Sequence, residues 1–173
     1  MLRQDFLEGM SRAAATVSIV TTAGGAGREG VTVSAMTSVS ADPGPPSLLV
    51  CLHHLGRAAQ AISDNKVFCV NLLHDEHGRL ADLFAGRLKD EIADKFAVTA
   101  WQTLATGAPV AADALAAFDC QLLRAERCGS HWIFIGEVAD LLLGERRAPL
   151  VYANRTYRTL SDGQAMLLPA QRV

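Results

Sequence analysis

Five histidines, four cysteines and a run of small hydroxyl residues are the side chains of this 173-residue sequence whose types and spacing could support chemistry. The hydroxyls concentrate between Gly30 and Pro46, in GVTVSAMTSVSADPGPP. There Val31, Val33, Ala35 and Val39 are interleaved with Thr32, Ser34, Thr37, Ser38 and Ser40. A strand turns successive side chains to opposite faces, so the pattern offers one face to a core and one to something polar. Lys, Glu or Gln would serve a merely wet face. Short hydroxyls suit close approach by a ligand held partly by backbone N–H groups. Asp42-Pro43-Gly44-Pro45-Pro46 then ends the strand, because proline cannot extend a ladder.

Other motifs compete for a chemical role. Gly25-Ala-Gly-Arg-Glu-Gly30 matches G-x-G-x-x-G, but a dinucleotide site needs a helix next, with the phosphate on its N-terminus. The residues that follow are β-branched and end in proline, so the glycines read as a hairpin loop. His74-Asp-Glu-His77 places two imidazoles three residues apart. Zinc would want a third protein ligand, and none is evident nearby, so a solvated helix start with acids at its N-terminal dipole is preferred. No metal site is assigned. His53-His54 ends the strand next to the hydroxyl-rich one, where ligand contact is the expectation. His131 opens a strand after Gly129-Ser130 and reads equally as an exposed turn residue. No G-x-S-x-G elbow occurs, and Cys51, Cys69 and Cys120 sit inside apolar runs where cysteine acts as a small hydrophobe.

The elements that must position these groups are legible as alternating patterns. Residues 3–14 read as an amphipathic helix with Phe6, Leu7 and Met10 on one side. Strands are expected at 16–22, 30–41, 47–52, 66–73, 117–126, 132–143 and 151–160, with 127–131 as a hairpin joint. Helical patterns occupy 56–65 and 75–97, the second broken near Gly86, while 101–109 is ambiguous. The sum is a mainly β protein with peripheral helices in a single domain, arranged as a closed antiparallel barrel.

Composition narrows the class. Half the residues are hydrophobic, a fifth are charged and the net charge is −2, which excludes a disordered chain and gives no electrostatic footprint for nucleic acid. No apolar run reaches the roughly 18 residues of a membrane span. The charged N-terminus and the scattered, unpaired pattern of cysteines lead us to expect a reduced, cytoplasmic protein.

Five segments together carry a resemblance: GVTVSAMTSVSADPGPPSLLVCL at 30–52, VFCVNLL at 67–73, LADLFAG at 80–86, GSHWIFIGEV at 129–138 and PLVYANRTYRTL at 149–160. In order and spacing the chain resembles the short flavin reductases, the NAD(P)H-dependent components of two-component flavin monooxygenases. The resemblance implies a split β-barrel, a homodimer, and FMN or FAD as the flavin with NADH or NADPH as the reductant. It places the flavin ring along Thr32, Val33, Ser34, Ala35, Met36, Thr37 and Ser38, and the ribityl and phosphate against Cys51, Leu52, His53, His54, Gly56 and Arg57. Arg87 or Lys95 would be a second cation for the phosphate, and Phe84 and Tyr157 belong to the matching segments around it. His131, with Gly129 and Ser130, would meet the nicotinamide.

Two departures stand out. The family's phosphate segment commonly carries serines and a threonine, where this chain has Cys51-Leu-His-His-Leu-Gly-Arg57. The family often has Gly-Asp-His where this chain has Gly129-Ser130-His131. The implied reaction is hydride transfer from nicotinamide C4 to flavin N5, after which reduced flavin diffuses to a separate aromatic-hydroxylating monooxygenase. The competing expectations are a flavoprotein that keeps its flavin as an oxidase or electron carrier, a flavin- or haem-sequestering barrel, and a relative of the pyridoxamine-phosphate oxidases.

Overall fold

A computed structural model describes residues 1–88 and 90–160; the last part of the expected 1–173 domain, residues 161–173, lies outside the described residues. In chain order the elements are α1 (Leu2–Arg12), β1 (Ala15–Thr16), β2 (Ser18–Thr22), β3 (Glu29–Val33), β4 (Met36–Ser40), β5 (Ser47–His53), α2 (Arg57–Asn65) and β6 (Val67–Leu72). Then follow α3 (Gly78–Phe84), β7 (Trp101–Thr103), β8 (Pro109–Ala111), β9 (Ala116–Cys128), β10 (His131–Leu143), β11 (Leu150–Ala153) and β12 (Thr156–Thr159). Single 3-10 turns cover Asp75–His77 and Lys95–Val98.

The central sheet has seven strands in the order β3-β2-β6-β9-β10-β5-β4, paired antiparallel throughout. Its two edge strands are consecutive in the chain. The expected single strand over 30–41 is therefore two strands, broken at Ser34 and Ala35, with β3 pairing to β2 and β4 to β5. The closed barrel expected from the strand pattern is corrected in the same observation: no ladder joins β3 to β4, and the barrel is split. The Cys51 N–H donates to the Ala35 carbonyl at 3.0 Å, carrying the β4–β5 pairing one residue into the break.

The glycine-rich loop is a hairpin turn between β2 and β3, as the missing helix required, with Gly27 at φ +88°. Three further expectations change. The 16–22 strand divides at Val17, since Ala15–Thr16 pairs with β11 in a separate three-stranded sheet. The last strand is the hairpin β11–β12, because Asn154 and Arg155 both take positive φ (51° and 59°), as a two-residue turn matching strand twist demands. The helix over 75–97 survives only as α3; Gly86 at φ +77° terminates it, and Leu88, Ile92 and Phe96 reach the same apolar cluster through turns. The ambiguous stretch after Trp101 pairs as β7–β8.

The core is apolar and close-packed. α2 lays Ala58, Ala59 and Ile62 onto Val20, Val50, Phe68, Val70 and Phe134 inside the split barrel. α3 lays Leu80, Leu83 and Phe84 onto Val17, Ile19, Leu73 and Phe96 on the other side of β2. A buried polar hub ties the layers. The Asn71 side chain donates to the Ile19 carbonyl (3.1 Å) and the Thr21 hydroxyl (3.2 Å) and accepts the Ala111 N–H at 2.7 Å. By contrast, α1 buries none of its residues, and the side that carries Phe6, Leu7 and Met10 faces outward.

Gly136 sits at a bulge of β10, where the strand crosses under the core. A Cβ there would collide with the ring of fully buried Phe68 and lie 2.8 Å from the Cys120 Cβ. Substitution Gly136→Ala is expected to destabilise the fold by about 1–3 kcal/mol through overpacking. A shifted denaturant midpoint at unchanged m-value would show it.

Candidate functional site

The sequence-expected residues fall into three neighbouring groups and one that stands apart. The first is the free edge of the sheet. Ser34, Ala35, Thr37 and Ser38 are exposed, while Met36 is half-buried against the core. β4 pairs on one side only, so its other side carries backbone groups without a strand partner. Two members of the expected ring bed are committed elsewhere. The Thr32 hydroxyl donates to the Ala81 carbonyl at 2.7 Å, locking β3 to α3, and Val33 is a core residue.

The second group gathers where β5 and β10 meet. Register pairs His53 with His131 and Leu52 with Trp132. The His54 N–H donates to the Ser130 carbonyl (3.0 Å), so the two-residue turn Gly129-Ser130, with Gly129 at φ +57°, is stitched to the end of β5. His131 is exposed, its Nδ1 lies 2.9 Å from the Ser130 hydroxyl, and His53 meets its ring edge-on at 5.2 Å between centres. The serine does part of an aspartate's task, since a hydroxyl can set the imidazole's orientation but brings no charge. His54 is held below its ordinary value, first by desolvation and then by the nearby charges of Arg127, His53 and His131.

The third group is a cleft next to the second. One lobe of 150 Å³ is lined by Gly30, Leu52, His53, Gly56, Arg57 and Lys95 among others. A second of 480 Å³ shares Arg57 and Lys95 and extends to Arg28, Phe84, Gly86 and Phe96. The second volume lies within the range of small-molecule sites. Gly30 is required at the wall, because a Cβ would approach Phe84 Cε1 to 2.8 Å. Phe84 itself is buried in an aromatic cluster with Phe96 and Trp101.

Arg87 and Tyr157 stand apart from the cleft lining, and Arg87 is bound to the Asp82 carboxylate at 2.6 Å and packed over the Tyr157 ring. The hydrogen bond that Arg87 donates to Asp82 raises Arg87 above its ordinary value, and burial raises the Tyr157 phenol.

Sequence reasoning missed Glu29. Its carboxylate lies 3.1 Å from Lys95 Nζ and 3.3 Å from Arg57 Nε, so both expected phosphate cations already face an anion. Nothing in an isolated Arg-Glu-Gly at a hairpin shoulder signals that role. Three of the four thiols are unsuited to act as thiolates, because burial pushes Cys51 up, Cys69 well up and Cys120 up to about 12.

The third partner that His74 and His77 lacked in sequence is Asp113, whose Oδ2 lies 3.0 Å from His77 Nε2 and 3.9 Å from His74 Nε2. The two rings nevertheless lie tilted against one another with centres 3.5 Å apart. Imidazoles sharing a tetrahedral ion fan apart, with ring centres about 5 Å from one another for a bond near 2 Å. The cluster is a packed histidine pair braced by Asp113 and by Arg147, which also pairs with Glu76 at 2.9 Å.

The seven-stranded split barrel brings a free strand edge, a histidine corner and a cation-lined cleft together as a small-molecule binding scaffold. The flavin reductase like domain family model matches residues 10–161, and the chain belongs to that family. The FMN reductase (NADH) RutF of Ancylobacter novellus is 42% identical over 159 residues, covering 92% of this chain and 86% of that one. Among solved structures, the flavin reductase PheA2 superposes with a TM-score of 0.83 at 31% identity, covering 94% of this chain and all of its own (100%). BorF, the flavin reductase component of a bacterial two-component tryptophan halogenase, gives 0.82 at 33% identity over 92% of this chain and 99% of its own.

Burial, then His77 and Arg147, hold His74 below its ordinary value of 6.5, against the smaller opposing pull of Asp113 and Glu76. The unfolded chain therefore binds this proton at a higher pH than the folded one. The stability tied to neutral His74 is complete above 6.5 and is lost as the pH falls through that value toward the folded one. Thermal midpoints measured from pH 7.5 downward should fall, and the fall should be shallower in His74→Asn, which keeps an N-cap acceptor for the Glu76 N–H.

Proposed function

We propose that this protein reduces free flavin at the expense of NADH and releases the reduced flavin to a separate flavin-dependent monooxygenase. The observation that carries the reading is the placement of His131. It sits directly across from His53 at the end of β5, the strand that at its other positions pairs with the free-edged β4. A ring laid on the β4 edge and a nicotinamide held at His131 would then be neighbours along one strand. The names of the relatives, FMN reductase (NADH) and the reductase component of a two-component halogenase, support the same reading.

The flavin and nicotinamide supply the hydride-transfer chemistry themselves. The chain's part is positional and electrostatic. Unpaired backbone groups of β4, with the hydroxyls of Ser34, Thr37 and Ser38, offer donors where reduction builds negative charge on the ring. Met36 supplies an apolar floor, half-buried on the core. Ser130 and His53 set the His131 ring so that Nε2, the nitrogen not facing Ser130, is turned to the substrate side. Arg57, Lys95 and the start of α2, whose N-cap Gly56 has no side-chain cap, face the phosphate end. The relatives named FMN reductase support FMN as the flavin.

A second copy of the chain completes the proposal. Phe6, Leu7 and Met10 expose 62%, 45% and 55% of their surface on one helix, an uncovered apolar side that pairing of two chains would bury. Light scattering in solution should give twice the 18.4 kDa chain mass.

Purified protein mixed with NADH and excess free FMN should oxidise NADH through many turnovers with no other protein present. Bound yellow colour without NADH consumption would sink the reductase reading. In His131→Ala, KM for NADH should rise about tenfold or more, the scale of one lost charge-assisted or oriented contact, while the FMN dissociation constant changes less than twofold. Equal losses in both would remove His131 from the nicotinamide.

A further inference from the structure

Among the described residues, each cation in or beside the cleft is already matched with a carboxylate. Arg28 pairs with Asp94 at 3.5 Å, Arg87 with Asp82 at 2.6 Å, and Arg57 and Lys95 with the two oxygens of Glu29 at 3.3 and 3.1 Å. Glu29 differs from the other acids in serving two cations at once. Its side chain is 18% exposed, against 58% for Asp94 and 33% for Asp82. It lines both lobes of the cleft together with Arg57 and Lys95.

We propose that Glu29 is a built-in competitor for the flavin phosphate: it occupies the counter-charge of Lys95 and Arg57, so that FMN is held loosely and exchanges. The proposal rests on the flavin reductase reading and deepens it. Lys95 has one ammonium N–H bound to Glu29 and another to the Gly30 carbonyl at 2.7 Å, which fixes the cation at the wall and leaves one donor for an incoming anion. Arg57 brings its Nε to 3.3 Å from Glu29 and is 84% exposed, so its guanidinium remains accessible to an incoming anion. The first turn of α2 carries no acid of its own, so the negative charge facing that helix start comes from across the cleft, from Glu29. A phosphate entering here gains two cations and a helix start but must settle beside a carboxylate or push it aside. A half-buried anion in a narrow cleft is only partly screened, so this repulsion reaches the phosphate. An enzyme that must release its reduced product gains from a site whose strongest handle is already engaged.

Riboflavin is the control ligand, since it carries the ring and ribityl chain but no phosphate. Flavin fluorescence titrations of the intact protein at fixed low salt should compare FMN with riboflavin. In Glu29→Gln the FMN dissociation constant is expected to fall about tenfold, the size expected of one partly screened unit charge. The riboflavin constant should stay within about twofold, which also reports an intact fold. Glu29→Ala supplies the same readout if the Gln variant is unstable. An FMN-to-riboflavin affinity ratio that is unchanged or reduced, or an equal tightening of both ligands, would overturn the role of Glu29. If the unsubstituted protein binds neither flavin, the flavin reductase reading itself fails, and that outcome is separate from a normal FMN affinity untouched by the substitution.

Discussion

The molecule turns on a two-residue crossing. Between Val33 and Met36 the chain leaves one edge of the seven-stranded sheet and joins the other, so that the first and last strands in space are neighbours in sequence. The constraint is steric and electrostatic together. The crossing residues, Ser34 and Ala35, must be small, must present no large apolar surface, and must not leave their backbone groups stranded. The Ala35 carbonyl finds the Cys51 N–H, and the remaining groups face solvent or ligand. Because the crossing closes the circle without a ladder, β4 keeps one side open. α2 packs Ala58, Ala59 and Ile62 against Phe68 and Phe134 in the same core that buries Val33 and Val50 beside the two edge strands. A closed barrel of the same strands would have no such open side.

Much of this was legible in residue patterns. The alternation of hydroxyl and apolar residues marked the 30–41 segment as a strand with a polar face, and the β-branched run after the glycines rightly excluded a dinucleotide loop. His131 stood out locally, with Gly129-Ser130 before it and Trp132-Ile-Phe-Ile after it, but its proposed place beside the nicotinamide comes from the family resemblance. What remained hidden depends on pairing. Nothing local tells that Thr32 gives its hydroxyl to Ala81, forty-nine residues away, or that Glu29 meets Lys95 across sixty-six. The hairpin at Asn154-Arg155 was hidden for another reason. Arginine at positive φ is uncommon, so a continuous β-branched and aromatic pattern masked the turn. The helical spacing of Leu88, Ile92 and Phe96 also misled, because a single glycine in the left-handed region outweighs a three-residue periodicity.

Electrostatically, the cleft is compensated rather than positive. The loss of serine and threonine in Cys51–Arg57 suggested a thin phosphate site, but the cations are present in number. Their availability is what the fold limits, through Glu29, Asp82 and Asp94. Around the histidine corner the balance is different again: the ring of His131 is oriented by a neutral hydroxyl and by another imidazole, with no carboxylate nearby to bind it into an ion pair. The site therefore holds its charges in reserve at one end and does without them at the other.

β5 acts as a measuring rod. All seven of its residues pair on one side with β10, with His53 opposite His131, while Ser47–Val50 pair on the other with β4, with Val50 opposite Met36. At about 3.3 Å per residue, the three steps from Val50 to His53 set an offset of roughly 10 Å between ring floor and histidine along the strand. That spacing belongs to peptide geometry and to register, not to any side chain. Side chains at either end can therefore vary while the separation holds; Val50 and His53, three residues apart, carry their partners on opposite faces of the sheet, and one residue inserted or removed between them would bring both onto one face.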